Sequence, residues 1–579
     1  MRRFVSISWL SLLVIVAAAA VLAMLPPVRL LVEAVRMGED TPLGVRSIHL
    51  AQEAAKHPDD AQAWLALAMT GGQIPGSGPT DLKALQRVVK LRPTWAAAQI
   101  ILGNALLSRT PYVWRRELAA LDPRFAEQER WQKKPLTAEQ RATLAGAREA
   151  LQKARSLDPD NAAPDYLLAY IALEEHRDDD ALALLRDGSG KNHWSVGARE
   201  ASIAVYETAY ETAARRASPL HAHTAAMYGL WAKGVGLGAR LRELARVVTG
   251  MATLAQQKGD PERAIFLRES VMHLGQVMMT DAYTTVDVFV GMSVWRIAAS
   301  ESLTPGEQAA AVAGLPTPKP KEGAELTGRR KDALARAKVA KFAAYLRAHG
   351  RADLAQRVAS YGDELVAWRK ELSKATSSAW FGPGSLAWAL MASVLPIVTA
   401  GVALGWMMVS GLAYLILWAL ERRPIPIVWA RWKWALVGLG CFGAWAPVAL
   451  GPGGGRLSSP FSPWEPPAVA PWGVTCVEAG LPLLVVSALV ITWRVRRRQE
   501  ASARPGFFRQ YVGTLTAVLL PVTAVVMVTA AAAAVPAARE VERAMGRLEM
   551  MVYDSELAYY GLQPPAAPVE QRPHQDAAP

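Results

Sequence analysis

The chain has 579 residues, more than one hydrophobic core usually organises, and just over half of them are apolar. Its net charge of +13 does not form a nucleic-acid-binding face: Arg2, Arg3 and the stretches 421–434 and 494–510 supply ten of those charges, all beside apolar runs. Only two cysteines occur, Cys441 and Cys476, both within apolar segments, so a disulfide framework and a thiolate zinc site are excluded.

In chain order, the first apolar run is Phe4 to Leu25, directly after the two arginines. It is long enough to cross about 30 Å of hydrocarbon, so residues 1–30 are expected to be a transmembrane anchor. The alternative is a signal peptide, because Val21-Leu22-Ala23 offers small residues for cleavage. Both place the next several hundred residues outside the cytoplasm.

Residues 45–300 are rich in Ala, Leu, Arg and Glu with few β-branched runs, which predicts helices. His57-Pro58-Asp59-Asp60, Leu91-Arg92-Pro93, Leu121-Asp122-Pro123 and Leu157-Asp158-Pro159-Asp160 recur at spacings of 35, 30 and 36 residues. Proline ends one helix, and Asp or Asn caps the next. After Pro58 come Trp64, Leu67 and Ala68; after Pro93, Leu102 and Gly103; around Pro159, Ala147, Leu151, Ala154, Leu168, Ala169 and Ala181. With Gly259-Asp260-Pro261-Glu262-Arg263-Ala264 as an inter-helix turn and His349-Gly350 as a fainter echo, this pattern resembles the tetratricopeptide repeat. The resemblance implies a solenoid of antiparallel helical hairpins that presents a concave groove to peptides or protein segments. In that register Gln62, Leu65 and Met69, then Ala97, Ile100 and Asn104, then Ala163, Tyr166 and Tyr170 would line the groove.

The repeat pattern departs at the long loop 71–80, after Pro123 and over 190–250. Gly234, Gly236 and Gly238 lack the strand, spacing and Lys-Ser/Thr of a phosphate loop, so they are expected to break or bend a helix. His221 and His223, two residues apart, do not share a helix face, and Glu269 with His273 has no companion pair, so no metal site is expected.

Residues 304–330 carry Pro305, Pro316, Pro318 and Pro320 and are expected to be a flexible loop. Arg330–Ala348 and Arg351–Lys374 then form a hairpin stalk over 330–375. Within 385–536 four spans are expected: one inside Leu386–Leu420, then Ala435–Leu450, Gly473–Trp493 and Tyr511–Val535. With the N-terminus inside, alternation puts the two loops carrying ten Lys/Arg in the cytoplasm and the loop carrying only Arg456 outside, as the positive-inside rule requires. Eleven of the twenty tryptophans fall between Trp380 and Trp493, several at span ends, where indole rings favour the half-wet boundary. Glu478, about five residues into the fourth span, is the one intramembrane polar candidate. Beyond the fifth span, 537–562 reads as an amphipathic helix with Val541, Met545, Leu548 and Val552 on one stripe, free to pack on the preceding domain or lie on the membrane. The tail 563–579 reads as disordered.

The expected fold class is therefore all-α: a tetratricopeptide-like solenoid outside the cytoplasm plus about five transmembrane helices in the plasma (inner) membrane. Partners expected are membrane lipid and proteins of the cell envelope; no cofactor, metal or nucleic acid is expected. The expected role is a non-enzymatic scaffold, with a permease-like component of a transport complex and a membrane-embedded enzyme as alternatives.

Overall fold

Capping chemistry sets where the helices begin. The Asp81 carboxylate accepts the backbone N–H of Lys83 (2.9 Å) and Ala84 (3.2 Å), and Asp260 accepts that of Arg263 (3.0 Å). Thr137 with Gln140, Thr284 with Asp287 and Thr304 with Glu307 each form a reciprocal capping box.

The computed structural model describes residues 13–22, 47–70, 81–110, 118, 136–214, 219–315, 323–381, 401, 404–405, 407–417, 419–420, 489–490, 492–494, 496–497 and 506–565. Among these every regular element is a helix; the one isolated β-bridge joins Asn161 and His193. The chain divides into two compact units. One comprises Met1–Met37 and Thr376–Gly546, the other Gly38–Ala375 and Arg547–Pro579. The chain therefore passes between the two units three times.

The second unit starts with α1 (Ser47–Lys56), α2 (Ala61–Thr70), α3 (Leu82–Leu91), α4 (Ala96–Leu107), α5 (Ala138–Leu157), α6 (Ala163–Glu174) and α7 (Asp178–Ser189). The pairs α2/α3, α4/α5 and α6/α7 pack as hairpins, and each packs on the next in chain order. Small residues permit the contact: a Cβ on Gly103 of α4 would stand 2.7 Å from Leu151 Cγ of α5. The array then changes character. Helix α8 (Ala198–Ala214) turns back onto α1 and α2, and the long α9 (Pro219–Gln257) packs on α8. A hairpin of α10 (Pro261–Thr280) and α11 (Thr285–Ala298) comes next, with α9 against both. At their crossing Gly275 and Gly291 face one another so closely that a Cβ on Gly275 would lie 2.7 Å from the Gly291 carbonyl oxygen. The short α12 (Pro305–Ala311) leads to α13 (Gly323–Ala348) and α14 (Ala352–Phe381). Val339, Phe342 and Leu346 of α13 join Leu354, Val358, Tyr361 and Leu365 of α14 in the main core, beside Trp295 of α11.

Three sequence expectations change here. Of the two options for Gly234, Gly236 and Gly238, the break does not occur, since α9 continues through them to Gln257; Gly238 admits Val290 of α11, whose Cγ2 would lie 2.5 Å from an added Cβ. Residues 304–330 are not one loop, because Thr304 caps α12 and α13 already begins at Gly323. The C-terminal segment resolves between its two options: from Arg547 it belongs to the helical unit. Helix α15 (Phe507–Tyr553) ends with Val552 buried, and Tyr283 Oη donates to the Val552 carbonyl at 2.6 Å. Helix α16 (Glu556–Tyr560) begins three residues later.

In the first unit, residues 13–22 are helical, and Ala18 and Leu22 pack on Met527 and Ala530 of α15. Among the described residues no helix is long and apolar enough to cross a membrane. The third predicted span, most of the second and fourth, Glu478, Cys441 and Cys476 lie outside the described residues, as does the tail from 566. The fifth lies within α15, where many of its side chains, 516–522 among them, are outside the description.

Candidate functional site

The structure places most of the predicted groove positions in the core. Leu65, Met69, Ala97, Ile100, Ala163, Tyr166 and Tyr170 are buried, while Gln62 and Asn104 are half-buried. The covering comes from this chain's own later helices. Ala201, Ala204, Val205 and Tyr206 of α8 pack with Leu65, Met69 and Ile101, and α9 and α10 share one core with Ile100, Tyr166 and Tyr170. A groove lined by those residues is therefore not open. Apolar positions on the first helix of each hairpin meet the period of a groove and of a core equally.

Several polar groups in this interior bond to one another, while Gln276 Nε2 is buried without a partner. Tyr166 Oη donates to the Ser270 carbonyl at 2.9 Å and lies 3.1 Å from His273 Nδ1. Burial lowers the His273 pKa to about 4 and pushes the Tyr166 phenol well up. The buried Asp165 carboxylate pairs with Lys191 and, at 2.7 Å, with Arg155; burial raises its pKa and those two cations oppose the rise. Arg240 donates to the Thr110 carbonyl (2.7 Å) and to Tyr170 Oη (3.1 Å). Glu269 and His273 do not meet on one ligand, since Glu269 pairs with Arg351 at 2.8 Å. Among the described residues no group of His, Cys, Asp and Glu could hold a metal ion.

The C-terminal segment is bonded into the same unit. The Glu556 carboxylate accepts the backbone N–H of Thr285 (2.5 Å) and its hydroxyl (2.9 Å), at the first turn of α11. Tyr560 Oη donates to Glu556 at 2.9 Å, and Tyr553 stands edge-on to Tyr206 at 5.9 Å.

A different surface carries unsatisfied chemistry. A cleft of about 580 Å³ is lined by Arg246, Thr249, Gly250 and Thr253 of α9, Arg268 of α10, and Phe289, Met292, Ser293, Arg296 and Ile297 of α11. Ser300, Glu301 and Ser302 of the turn after α11, Lys338 of α13 and Arg369 of α14 complete it. The residues from α9 and from α11 recur at i, i+3, i+4 and i+7, so each helix contributes one face. Five cationic side chains and a single carboxylate thus surround one opening, with five hydroxyls between them. Two of the cations are neutralised: Arg268 pairs with Glu301 at 2.7 Å, and Arg246 with Glu243 at 3.3 Å. Arg296, Lys338 and Arg369 make no ion pair among the described residues. Burial lowers the Arg296 pKa, Arg369 lowers it further, and Asp332 opposes the shift.

A furrow of about 470 Å³ adjoins this cleft and shares Arg296, Ser300 and Lys338 with it. Its other lining combines Leu334, Ala335, Val339 and Ala340 of α13 and Ala359, Gly362 and Val366 of α14 with Trp295, Lys331 and the ion-paired Arg336 and Asp363. This site is absent from the sequence-based expectations. Lys331, Leu334, Ala335 and Lys338 stand at helical spacing and were legible as one face, but nothing in the sequence places that face beside Arg296 and Arg369.

No protein-family model, no curated protein and no solved structure matches the chain.

Proposed function

We propose that the protein is a membrane-anchored, non-enzymatic scaffold whose tetratricopeptide-like helical unit stands on the non-cytoplasmic side of the plasma membrane and holds protein partners of the cell envelope. The observation that carries this is the segregation of exposed apolar side chains. Leu13, Val16, Met408, Val409, Leu412, Leu415, Ile416, Leu420, Leu489, Val490, Trp493, Phe508 and Val528 are exposed, and all lie in the first unit. Among the described residues of the helical unit, only Phe289 and Tyr553 are large, apolar and exposed. Exposed apolar side chains gathered in one unit call for a nonaqueous or protein covering, and arginines flank these runs with the asymmetry of membrane topology. Packing of Ala18 and Leu22 on Met527 and Ala530 supports the first run as a retained anchor rather than a cleaved signal. The Gly103–Leu151 contact and the Gly259 turn, with φ of +78°, support the tetratricopeptide resemblance.

The partners dock elsewhere than on the groove register, because those positions are core. One observation favours a second reading, a coupling component of a transport complex: α15 runs without interruption from an apolar stretch into a segment hydrogen-bonded within the helical unit.

The test is a single cysteine at the exposed Asp160, with Cys441 and Cys476 replaced by serine, probed by a membrane-impermeant thiol reagent. Labelling in intact cells once the outer barrier is opened is the expected result. Protection until the inner membrane is lysed overturns the topology. Crosslinking and mass spectrometry after gentle extraction tests the role: a stoichiometric envelope protein supports the scaffold, a cytoplasmic ATPase on the Arg-rich loops supports the coupling component, and migration alone removes both.

A further inference from the structure

The clefts between α9, α11, α13 and α14 have a surplus of hydrogen-bond donors. Four buried donor atoms among their lining side chains have no partner: Arg246 Nε, Arg268 Nε, Arg296 Nη2 and the indole Nε1 of Trp295. Arg296 and Trp295 are neighbours in the chain and line the shared part and the furrow side respectively. A buried N–H without an acceptor is uncommon in folded proteins and costs about 1–3 kcal/mol, more for a charged group. These four donors outnumber the acceptors of the lining that lack a hydrogen bond, Thr249 Oγ1 and Glu301 Oε1. Glu301 pairs with Arg268, Glu243 with Arg246, and Asp332 acts on Arg296 without forming an ion pair within 4 Å among the described residues.

The geometry specifies what would complete the site. Guanidinium groups, an ammonium and hydroxyls converging on one opening match the several acceptor oxygens of a phosphate, which arginine engages through paired N–H groups. Beside that opening the furrow carries an aliphatic strip of Leu334, Ala335, Val339, Ala340, Ala359 and Val366, with Lys331 and the Arg336–Asp363 ion pair also on its lining. It shares Arg296, Ser300 and Lys338 with the charged half, so one ligand can occupy both. It offers no aromatic face on which a nucleobase could stack, since Trp295 is 1% exposed. Phe289, 44% exposed, stands on the lining of the charged half, an apolar contact where a ligand with an apolar part would enter. Both volumes fall within the roughly 300–1,000 Å³ typical of small-molecule sites.

We propose that the paired clefts bind a phosphate-bearing amphiphile, its phosphate among Arg296, Lys338 and Arg369 and its hydrocarbon part along Val339, Ala359 and Val366. This goes beyond the scaffold role and does not depend on which side of the membrane the unit faces.

The experiment is isothermal titration of the full chain in phosphatidylcholine nanodiscs with dihexanoyl phosphatidic acid, dihexanoylglycerol and inorganic phosphate. Saturable binding of the phosphatidate at one site is expected, with inorganic phosphate weaker and dihexanoylglycerol without effect. Arg296→Gln is expected to weaken phosphatidate by about tenfold or more, the loss of one charge-assisted contact. The double variant Lys338→Gln/Arg369→Gln is expected to do the same; both residues are exposed, so it tests the site without touching the core. Ala359→Trp, also at an exposed position, fills the furrow and is expected to weaken phosphatidate while sparing inorganic phosphate. Absence of saturable phosphatidate binding, or binding indifferent to both charge variants, overturns the proposal. Inorganic phosphate binding as tightly as phosphatidate, or Ala359→Trp weakening both alike, overturns the amphiphile and leaves only an anion site.

Discussion

The interior between α6, α9 and α10 and the cleft between α9, α11, α13 and α14 both gather arginines near aromatic rings. In the interior, Arg240 lies 5.6 Å from the Tyr170 ring centroid and donates to the Tyr170 hydroxyl and the Thr110 carbonyl. Arg268, which lines the cleft, is held by the same kinds of contact, although its Nε has no acceptor. It is 1% exposed, sits 4.8 Å from the Phe342 ring, and donates to the carbonyls of Ala298 (2.8 Å) and Ser300 (3.0 Å). Arg296, from α11, has a buried Nη2 with no acceptor and feels the charge of Arg369. Burying a cation costs several kcal/mol unless the fold supplies its partners. Where the fold supplies them, the arginine is a structural cross-link. Where it does not, the same side chain is poised for something outside the chain.

The largest effect should come from breaking the class whose partners lie within the chain. Arg268→Leu leaves Glu301 and two carbonyls without their donor, and removal of one partner from a buried pair costs roughly 3–5 kcal/mol. Denaturant unfolding of the full chain, followed through tryptophan fluorescence, should show the helical unit melting first. A change under about 1 kcal/mol would mean that Arg268 is no better matched than Arg296.

His273 tests the same interior through pH. Its pKa is about 4 in the fold against 6.5 ordinarily, because burial penalises the charged ring. Between those values the unfolded chain takes up a proton that the folded chain refuses. The stability from keeping the ring neutral is thus complete above about pH 6.5 and lost progressively towards pH 4, by about 3 kcal/mol. His273→Gln should flatten the stability profile across that window relative to the parent chain. Parallel profiles would show that the ring is not held neutral.

How much of this was legible in the sequence depends on which forces are local. Proline and capping residues act within a few positions, so the turn at Gly259-Asp260-Pro261 could be placed, and so could the hairpin pivoting on Gly350, whose φ is +75°. Small residues at repeat spacing announced the Gly103–Leu151 contact. The groove was not legible, because Tyr166 and Tyr170 look the same on a groove wall and in a core. Only later helices decide between them: α9 and α10 share the core of Tyr166 and Tyr170, as α8 shares that of Leu65 and Met69 some 130 residues earlier in the chain. The cationic cleft was invisible for the same reason: Arg246, Arg296, Lys338 and Arg369 come from four helices. The C-terminal stripe was half legible, its amphipathicity evident and its docking face not.

That docking gives a smaller test. The Glu556 carboxylate accepts two donors from Thr285 at the positive end of α11; burial raises its pKa, and the hydrogen bonds from Thr285 and Tyr560 oppose the rise. Glu556→Gln keeps the shape and removes the charge, so a loss of about 1 kcal/mol is expected. Hydrogen exchange should show faster opening of α16 and of the first turn of α11 together. Faster exchange in α16 alone would mean that the segment rests on the unit without capping it.

The smallest effect is the most discriminating. If Arg296 were a cross-link like Arg268, its loss should destabilise the fold comparably. Its environment argues otherwise: burial and Arg369 both disfavour its charge, and only Asp332 supports it from outside ion-pair distance. Arg296→Gln removes that repulsion and one unpartnered cationic donor while keeping a side chain able to bond to the Ser300 region. The expected change in unfolding free energy is within about 1 kcal/mol of zero, on the stabilising side. Repeating the measurement with Arg369→Gln present should shrink even that gain, because the two cations would then no longer oppose each other. A loss of about 3 kcal/mol or more on Arg296→Gln would place Arg296 with Arg268 among the structural arginines. The cleft would then be a by-product of helix packing.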